Sequence, residues 1–274
     1  MRSLADEHPI SRLCELMSVP RSSVYYSRSL TDEVDLSPLK ELILTVRVTF
    51  QNAGVRLMYH YLASYYTRYT RAQVRQAYVE LGLLRKPPPA RPRTTDSTNT
   101  EHRFPNLVKK LPIERVNQVW VGDVTYVRVG SRFAYLATLM DACSRMIVGW
   151  GLSFSNDTNL VKGVLLRALR MGHPEIHHSD QGGPYGSKAY VRILTEHSVI
   201  ISMAAVGKPE ENGRAERLNR TLKEEEVRLS EYQTFDQAVQ SIDHFILIYN
   251  TMRLHQALGY RTPIEIFDFE SGTP

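Results

Sequence analysis

Between Val119 and Val127 the side chains alternate as in a strand, placing Val119, Val121, Thr125 and Val127 on one face, and Asp123 stands in the middle of that face. A carboxylate in such a row is costly unless something offsets its desolvation, and a bound cation is one way to do so. Two more acidic residues sit at constrained places. Asp180 follows Glu175-Ile-His-His178 as a residue at the mouth of a strand does, and Gly182, Gly183 and Pro184 force a turn behind it. Glu216 comes after 35 further residues, on a segment whose Leu218 and Leu222 stand at i and i+4, the spacing of a helix. Two aspartates from strands and one glutamate from a helix make a hard, all-oxygen set, which suits Mg²⁺ or Mn²⁺ and not zinc.

The rest of the chain fits an ordinary globular protein: 274 residues, 42% hydrophobic and 23% charged. No apolar run approaches the ~20 residues of a membrane span, and Met1-Arg-Ser-Leu-Ala-Asp-Glu7 lacks the apolar core of a signal peptide, so a cytoplasmic protein without membrane contact is expected. Cys14 and Cys143 are far apart and have no metal-ligand spacing, which points to reduced thiols. Charge is divided unevenly. Residues 1–110 carry 17 basic against 10 acidic side chains, and residues 111–274 carry 17 against 19. A basic front half joined to a near-neutral half with acidic clusters suits an enzyme acting on DNA, where Lys and Arg hold phosphates and carboxylates hold metal.

Within 1–35, helices are expected from Pro9 to Met17 and Arg21 to Arg28, resembling the end of a helix-turn-helix, with Arg21 and Arg28 as candidate DNA contacts. Residues 36–84 carry three helical stripes: Leu39, Leu42, Ile43 and Val46; Leu57, Tyr61 and Leu62; Val74, Tyr78 and Leu81. They suggest a second small helical DNA-binding unit. Residues 85–112 are Pro-rich, basic and without apolar period, and read as a linker whose Arg91 and Arg93 are placed to follow a DNA backbone.

From 113 to 230 three β-rich segments, Val119 to Val127, Phe133 to Met140 and Met146 to Trp150, are joined by short turns and so pair antiparallel. Helices and strands then alternate: a helix from about Asp157, the strand ending at Asp180, a helix near Ser187 to His197, a strand at Val199 to Ser202, and the helix of Glu216. This order predicts an α/β fold with a mixed sheet. Phe235 to Tyr249 trace an amphipathic helix within a C-terminal part, 231–274, that packs on the core.

An ordered series runs through the chain: Trp120-Val-Gly-Asp123-Val-Thr-Tyr126, Tyr135-Leu-Ala137, Asp141-Ala-Cys-Ser-Arg145, His178-Ser-Asp180-Gln-Gly182, Glu211-Asn-Gly-Arg-Ala-Glu216, Thr221-Leu-Lys223, and Tyr249-Asn250 with Arg253 and His255. This series resembles the catalytic, second-frame subunits of bacterial insertion-sequence transposases of the DDE group, most closely the insertion-sequence-three type. The resemblance implies an RNase H-like mixed-sheet core, shared with retroviral integrases and preceded by small all-α helix-turn-helix modules. It also implies two Mg²⁺ or Mn²⁺ ions ~4 Å apart, with Asp123 bridging both, Asp180 on one and Glu216 on the other. The implied activity is cleavage at the element's ends and transfer of the 3′-OH to target DNA. Implied partners are double-stranded DNA, as inverted-repeat ends and target, further copies of the chain on that DNA, and an upstream-frame DNA-binding partner or fusion. Lys223 is implied to hold DNA near the metals, with Arg217 and Arg220 as further contacts on the same helix.

Two other functions compete: an RNase H-like nuclease that only hydrolyses, and an inactive DNA-binding repressor of transposition. The intact carboxylates argue against the second, and the helices in front argue against the first. Several polar residues have structural readings. Asp141 before Ser144-Arg145 suits an Asx-type turn, His177 and His178 suit hydrogen bonds more than Mg²⁺ ligation, and Glu224, Glu225 and Glu226 suit a solvated face. Glu216 in isolation would read as half of an i,i+4 pair with Arg220, a reading its place in the series reverses.

Overall fold

The computed structural model describes residues 9–16, 35–65, 69–84, 104–205 and 208–271. The expected second helix at Arg21 to Arg28, and Arg91 and Arg93, lie outside these residues. Helix α1, Ile10–Leu16, has Cys14 buried. Three helices follow, α2 (Ser37–Thr49), α3 (Val55–Tyr65) and α4 (Arg71–Glu80), and they share one apolar cluster. Leu39 and Ile43 meet Met58, Leu62, Val74 and Ala77 there, in helical stripes like those of the sequence. Three of the helix ends have a local cause. Pro38 sets the first turn of α2, where a missing N–H costs nothing. Thr70 and Gln73 form a reciprocal capping box at the start of α4. Gly82 takes φ +65° just beyond the end of α4, where Leu83 N–H donates back to the Tyr78 carbonyl.

The five strands are β1 (Val119–Val129), β2 (Arg132–Asp141), β3 (Ile147–Ser153), β4 (Ile176–Ser179) and β5 (Ile200–Met203), in the spatial order β3-β2-β1-β4-β5. The first three pair antiparallel; β4 and β5 add in parallel to β1. The crossovers are α5 (Thr158–Ala168), capped by Asp157, and α6 (Lys188–Glu196), capped by Ser187. After β5 come α7 (Gly213–Leu222), one π-helical turn (Lys223–Val227), α8 (Phe235–Thr251) and α9 (Pro263–Ser271). The mixed sheet and its element order match the expected α/β architecture.

Side-chain alternation sorts the layers. Val119, Val121, Val127 and Val129 of β1 bury against Leu218 and Leu222 of α7 and Ile242 and Ile246 of α8. Trp120 points the other way, into Val161, Val164 and Leu165 of α5 and Tyr190 and Leu194 of α6. The sheet is therefore covered on both faces, and Asp123 belongs to the face under α7. Among the described residues no helix is long and apolar enough to cross a membrane.

Asp141 is the knot of the β2–β3 corner, as the Asx-turn reading expects. One of its oxygens accepts from Ser144 N–H and Ser144 Oγ, both at 2.7 Å, and from Cys143 N–H at 3.1 Å. The other accepts from Asn117 N–H at 2.8 Å, tying this corner to the approach to β1. Asp141→Ala would strand these donors in a buried site, so we expect a loss of about 3 kcal/mol and a fall in Tm of roughly 6–12 °C. A melt matching wild type would show that the corner does not depend on this carboxylate.

Two of the three glutamates expected on a solvated face are engaged instead, whereas the Glu224 side chain stays on the exposed face with Arg228 3.9 Å away. Glu225 pairs with Arg253, Nη2 to Oε1 at 2.6 Å and Nε to Oε2 at 2.8 Å. Glu226 Oε1 accepts from Tyr232 OH at 2.7 Å and Ser241 Oγ at 2.6 Å, and the Glu224 carbonyl accepts from Asn52. The π turn explains the difference, because Arg228 N–H reaches back five residues to Lys223 O and this shifts the helical register that would have pointed these side chains outward. Asn52, together with Tyr61 OH accepting from Leu254 N–H at 3.1 Å, fastens the three-helix unit to the C-terminal part of the chain.

Candidate active site

The parallel pairing of β1 with β4 runs from Val119 opposite Ile176 to Gly122 opposite Ser179 and then stops. The next residue on each strand is acidic, Asp123 on one and Asp180 on the other. Two strands lie ~4.8 Å apart, so the register alone brings these aspartates side by side at the strands' carboxyl ends. Helix α7 crosses the same face. Its start is pinned to β1 by Asn212 Nδ2, which donates to the Gly122 carbonyl at 3.1 Å, and its first turn carries Glu216. Gly122 sits in a tight place: a Cβ there would stand 3.0 Å from Leu139, 3.2 Å from Tyr185 OH and 3.3 Å from His177 Nε2, so these side chains would have to give way.

Asp123 is oriented by two donors, Val124 N–H to Oδ1 at 2.8 Å and Asn219 Nδ2 to Oδ2 at 2.7 Å. Its carboxyl is nonetheless pushed up to about 7, first by burial and then by the charge of Asp180, with Glu216 adding a smaller push against those two hydrogen bonds. Asp180 is raised as well, by loss of water around the carboxyl, offset by the Gly182 N–H that donates to it at 3.0 Å. Asp123, Glu216, Asn219 and Thr125 line a recess of about 240 Å³ whose remaining walls are Arg220, Lys223 and Arg228. Lys223 Nζ lies 4.4 Å from the centre of the Tyr126 ring. Acid and base therefore share one small space.

The donor set fits a hard divalent cation in its chemistry. Carboxylates converge and repel, and beside them the buried Asn219 Oδ1 has no hydrogen-bond partner. Among the described residues, however, no three His, Cys, Asp or Glu groups stand close enough to form a ready-made cage. The fold thus supplies neighbouring oxygen donors without bringing them into a closed shell.

The other expected site residues separate. Arg220 and Lys223 join the acidic recess, whereas Arg217 faces a different cavity on the far side of α7. Glu211, beside the motif, is a tie: it accepts from Ala205 N–H, Asn106 Nδ2 and Lys109 Nζ, which hold its carboxyl down to about 2. The histidines make hydrogen bonds, as expected. His177 Nε2 meets Tyr190 OH at 2.9 Å, and His178 meets Ser202 Oγ at 2.9 Å and the Glu211 carbonyl at 3.2 Å. Burial drives the His177 imidazole down to about 3, so it is neutral. Asn219 and Arg228 were not anticipated. Asn219 had a readable signal, since it stands three residues after Glu216 on the same helical face.

Comparison with known proteins gives the family. Residues 113–209 and 197–263 match two families, each described as an integrase core domain. The chain is 35% identical over 172 residues to the transposase for insertion sequence element IS904 of Lactococcus lactis, an alignment covering 61% of this chain and 68% of that protein. It is 27% identical over 273 residues to the transposase for insertion sequence element IS629 of Shigella sonnei, covering 96% and 92%. The fold is similar to that of a chain in the simian T-cell lymphotropic virus intasome in complex with the PP2A regulatory subunit B56 gamma, with a TM-score of 0.52 over 76% of this chain and 73% of that one. At 16% identity the likeness speaks for the fold alone. With integrase-core matches reaching from 113 to 263 and transposase relatives along most of its length, the chain belongs to the insertion-sequence DDE transposases, polynucleotidyl transferases with an RNase H-like core.

Proposed function

We propose that Asp123, Asp180 and Glu216 are the catalytic carboxylates, that they hold two divalent cations, Mg²⁺ or Mn²⁺, and that the enzyme cuts DNA at the ends of its element and joins the freed 3′-OH to target DNA. What supports this reading is the placement of Asp123 and Asp180 at the adjoining ends of β1 and β4, with Glu216 in the first turn of α7 lining a recess with Asp123, and the rise of the Asp123 carboxyl to about 7, first by burial and then by the charges of Asp180 and Glu216. When bound, the cations supply activation of the attacking hydroxyl or water and charge stabilisation at the leaving 3′ oxygen. The chain's own residues do the rest. Asn219 and Val124 N–H hold the Asp123 carboxylate in one orientation. Arg220, Lys223 and Arg228 offset the phosphate charge entering the recess, and Tyr126 positions the Lys223 ammonium.

The helical units ahead of the core, 1–35 with Arg21 and Arg28 and 36–84, serve as readers of end sequence, and the linker 85–112 with Arg91 and Arg93 follows the backbone. The core 113–230 cuts, and the part from 231 to 274 braces it. The enzyme works in the bacterial cytoplasm on chromosome or plasmid, as several copies on the DNA, with or without an upstream-frame partner. The test is joining of a labelled duplex carrying the element's own terminus to plasmid DNA by the purified chain with Mg²⁺. Joined product is expected; cut ends without any joined product would replace this reading with a nuclease.

A further inference from the structure

Helix α7 has a second polar side, and the charged residues on it are both arginine. Arg214 and Arg217 line a cavity of about 1000 Å³ between the three-helix unit and the core. Arg145, from the turn after β2, and Arg253 complete the core side, while Arg56 of α3 and Arg71 of α4 face them across the space. Among the described residues no aspartate or glutamate lines this cavity. Arg253 is neutralised by Glu225, but among the described residues none of the other five makes an ion pair within 4 Å, and the buried Asp141 acts only at longer range on Arg145 and Arg214. Arg214 donates to the Ala142 carbonyl at 2.8 Å and Arg56 to Gln256 Oε1 at 3.1 Å, which orients the guanidinium groups without cancelling their charge. The positive potential is felt by its neighbours. His255 is held down to about 3 by burial and then by Arg253, Arg145 and Arg217.

Like charges gathered in one cavity repel, and an entering anion relieves that repulsion. The cations are all arginine, whose planar fork suits bidentate phosphate recognition better than a lysine point charge does. Position narrows the ligand further. Arg214 and Arg217 lie on a different stripe of α7 from Glu216, Asn219 and Lys223, so the helix alone divides this cavity from the acidic recess. A helix is ~10 Å across, about three base steps at 3.4 Å each. A strand leaving the recess therefore reaches this cavity within a few nucleotides.

We propose that the cavity is a second phosphate-binding site, which clamps the DNA backbone between the three-helix unit and the core about three nucleotides from the bond that is cut. The position along the strand rests on reading the acidic recess as the cutting site; the affinity for DNA backbone does not.

The test uses the full chain with Arg56→Gln, Arg71→Gln and Arg217→Gln, singly and together, all exposed positions whose replacement leaves the core intact. Affinity for a DNA duplex of about three helical turns is measured between about 50 and 200 mM salt. Each single change is expected to flatten the plot of log affinity against log salt by about one unit, so that this rise in salt costs roughly 4-fold less affinity, and the triple change by about three units. Arg192→Gln, on the exposed side of α6 beside Glu196, serves as the control and should run parallel to wild type. A triple variant parallel to wild type overturns the proposal. So does an unchanged slope accompanied by lost self-association, which would give the cavity to an acidic segment of a second copy. Glu216→Gln separates the two readings: if it still cuts DNA the recess reading fails, whatever the arginine slopes show.

Discussion

Asp123→Asn, Asp180→Asn and Glu216→Gln are each expected to lower strand cleavage and joining at least about 10³-fold, roughly 4 kcal/mol of transition-state stabilisation, while binding to end DNA stays within a few-fold of wild type. The two effects separate because different residues carry them. Affinity comes from lysine and arginine against phosphate, and removing a carboxylate from the recess deletes repulsion toward the DNA rather than a contact. The chemistry depends on the acids as a unit, so a double variant should be little worse than a single one. Single-turnover cleavage of a labelled end duplex, with a parallel binding titration, measures both. Cleavage by Glu216→Gln within about tenfold of wild type would remove Glu216 from the site.

A second large effect is expected in stability. The Asp123 carboxyl titrates near 7 in the folded protein against 3.8 as its ordinary value. Between those values the folded state binds a proton that the unfolded chain has released, so in cation-free buffer stability falls as pH rises from about 4 to 7 and stays low above that. Three units correspond to about 4 kcal/mol at most, and Asp180, raised in the same direction, shares part of it. Asp123→Asn removes the titrating group and keeps its shape. Asn219 can turn its amide so that the unpartnered Oδ1 accepts from the new side chain. At pH 8 in EDTA the variant should therefore melt on the order of 5–10 °C above wild type, and the gap should shrink as pH falls until the two nearly coincide at about pH 4. Mg²⁺ should raise the wild-type Tm at pH 8 and leave Asp123→Asn almost unmoved, since a cation stabilises only the state that binds it. Identical pH profiles for the two proteins would show that Asp123 is not the strained acid.

Much of this site is readable from sequence because period and position coincide there. Asp123 stands on the core-facing side of an alternating strand, and the register that puts it beside Asp180 follows from two short parallel segments ending together. Glu216 is announced by Leu218 and Leu222, which fix its helix against β1. What escapes the sequence is pairing at long range. Glu225 meets Arg253 across 28 residues, and no periodicity marks a pair of that kind, so Glu225 and Glu226 read as solvated until the π turn brings them inward. The basic cavity is harder still. Its arginines come from positions 56, 71, 145, 214, 217 and 253, each ordinary in its own segment, and only the docking of the three-helix unit on the core collects them. Arg217 shows the limit well: helical spacing places it on the helix of Glu216 but does not say which of two grooves it enters.

The central claim is that Asp123, Asp180 and Glu216 together hold the divalent cations. Mn²⁺ titrated into the full chain at pH 7.5 and followed by electron paramagnetic resonance tests it without reference to activity. Wild type should take up two ions per chain, and Asp123→Asn, Asp180→Asn and Glu216→Gln should each lose at least one while keeping a wild-type far-UV spectrum. Mn²⁺ uptake by all three variants equal to that of wild type would contradict the account.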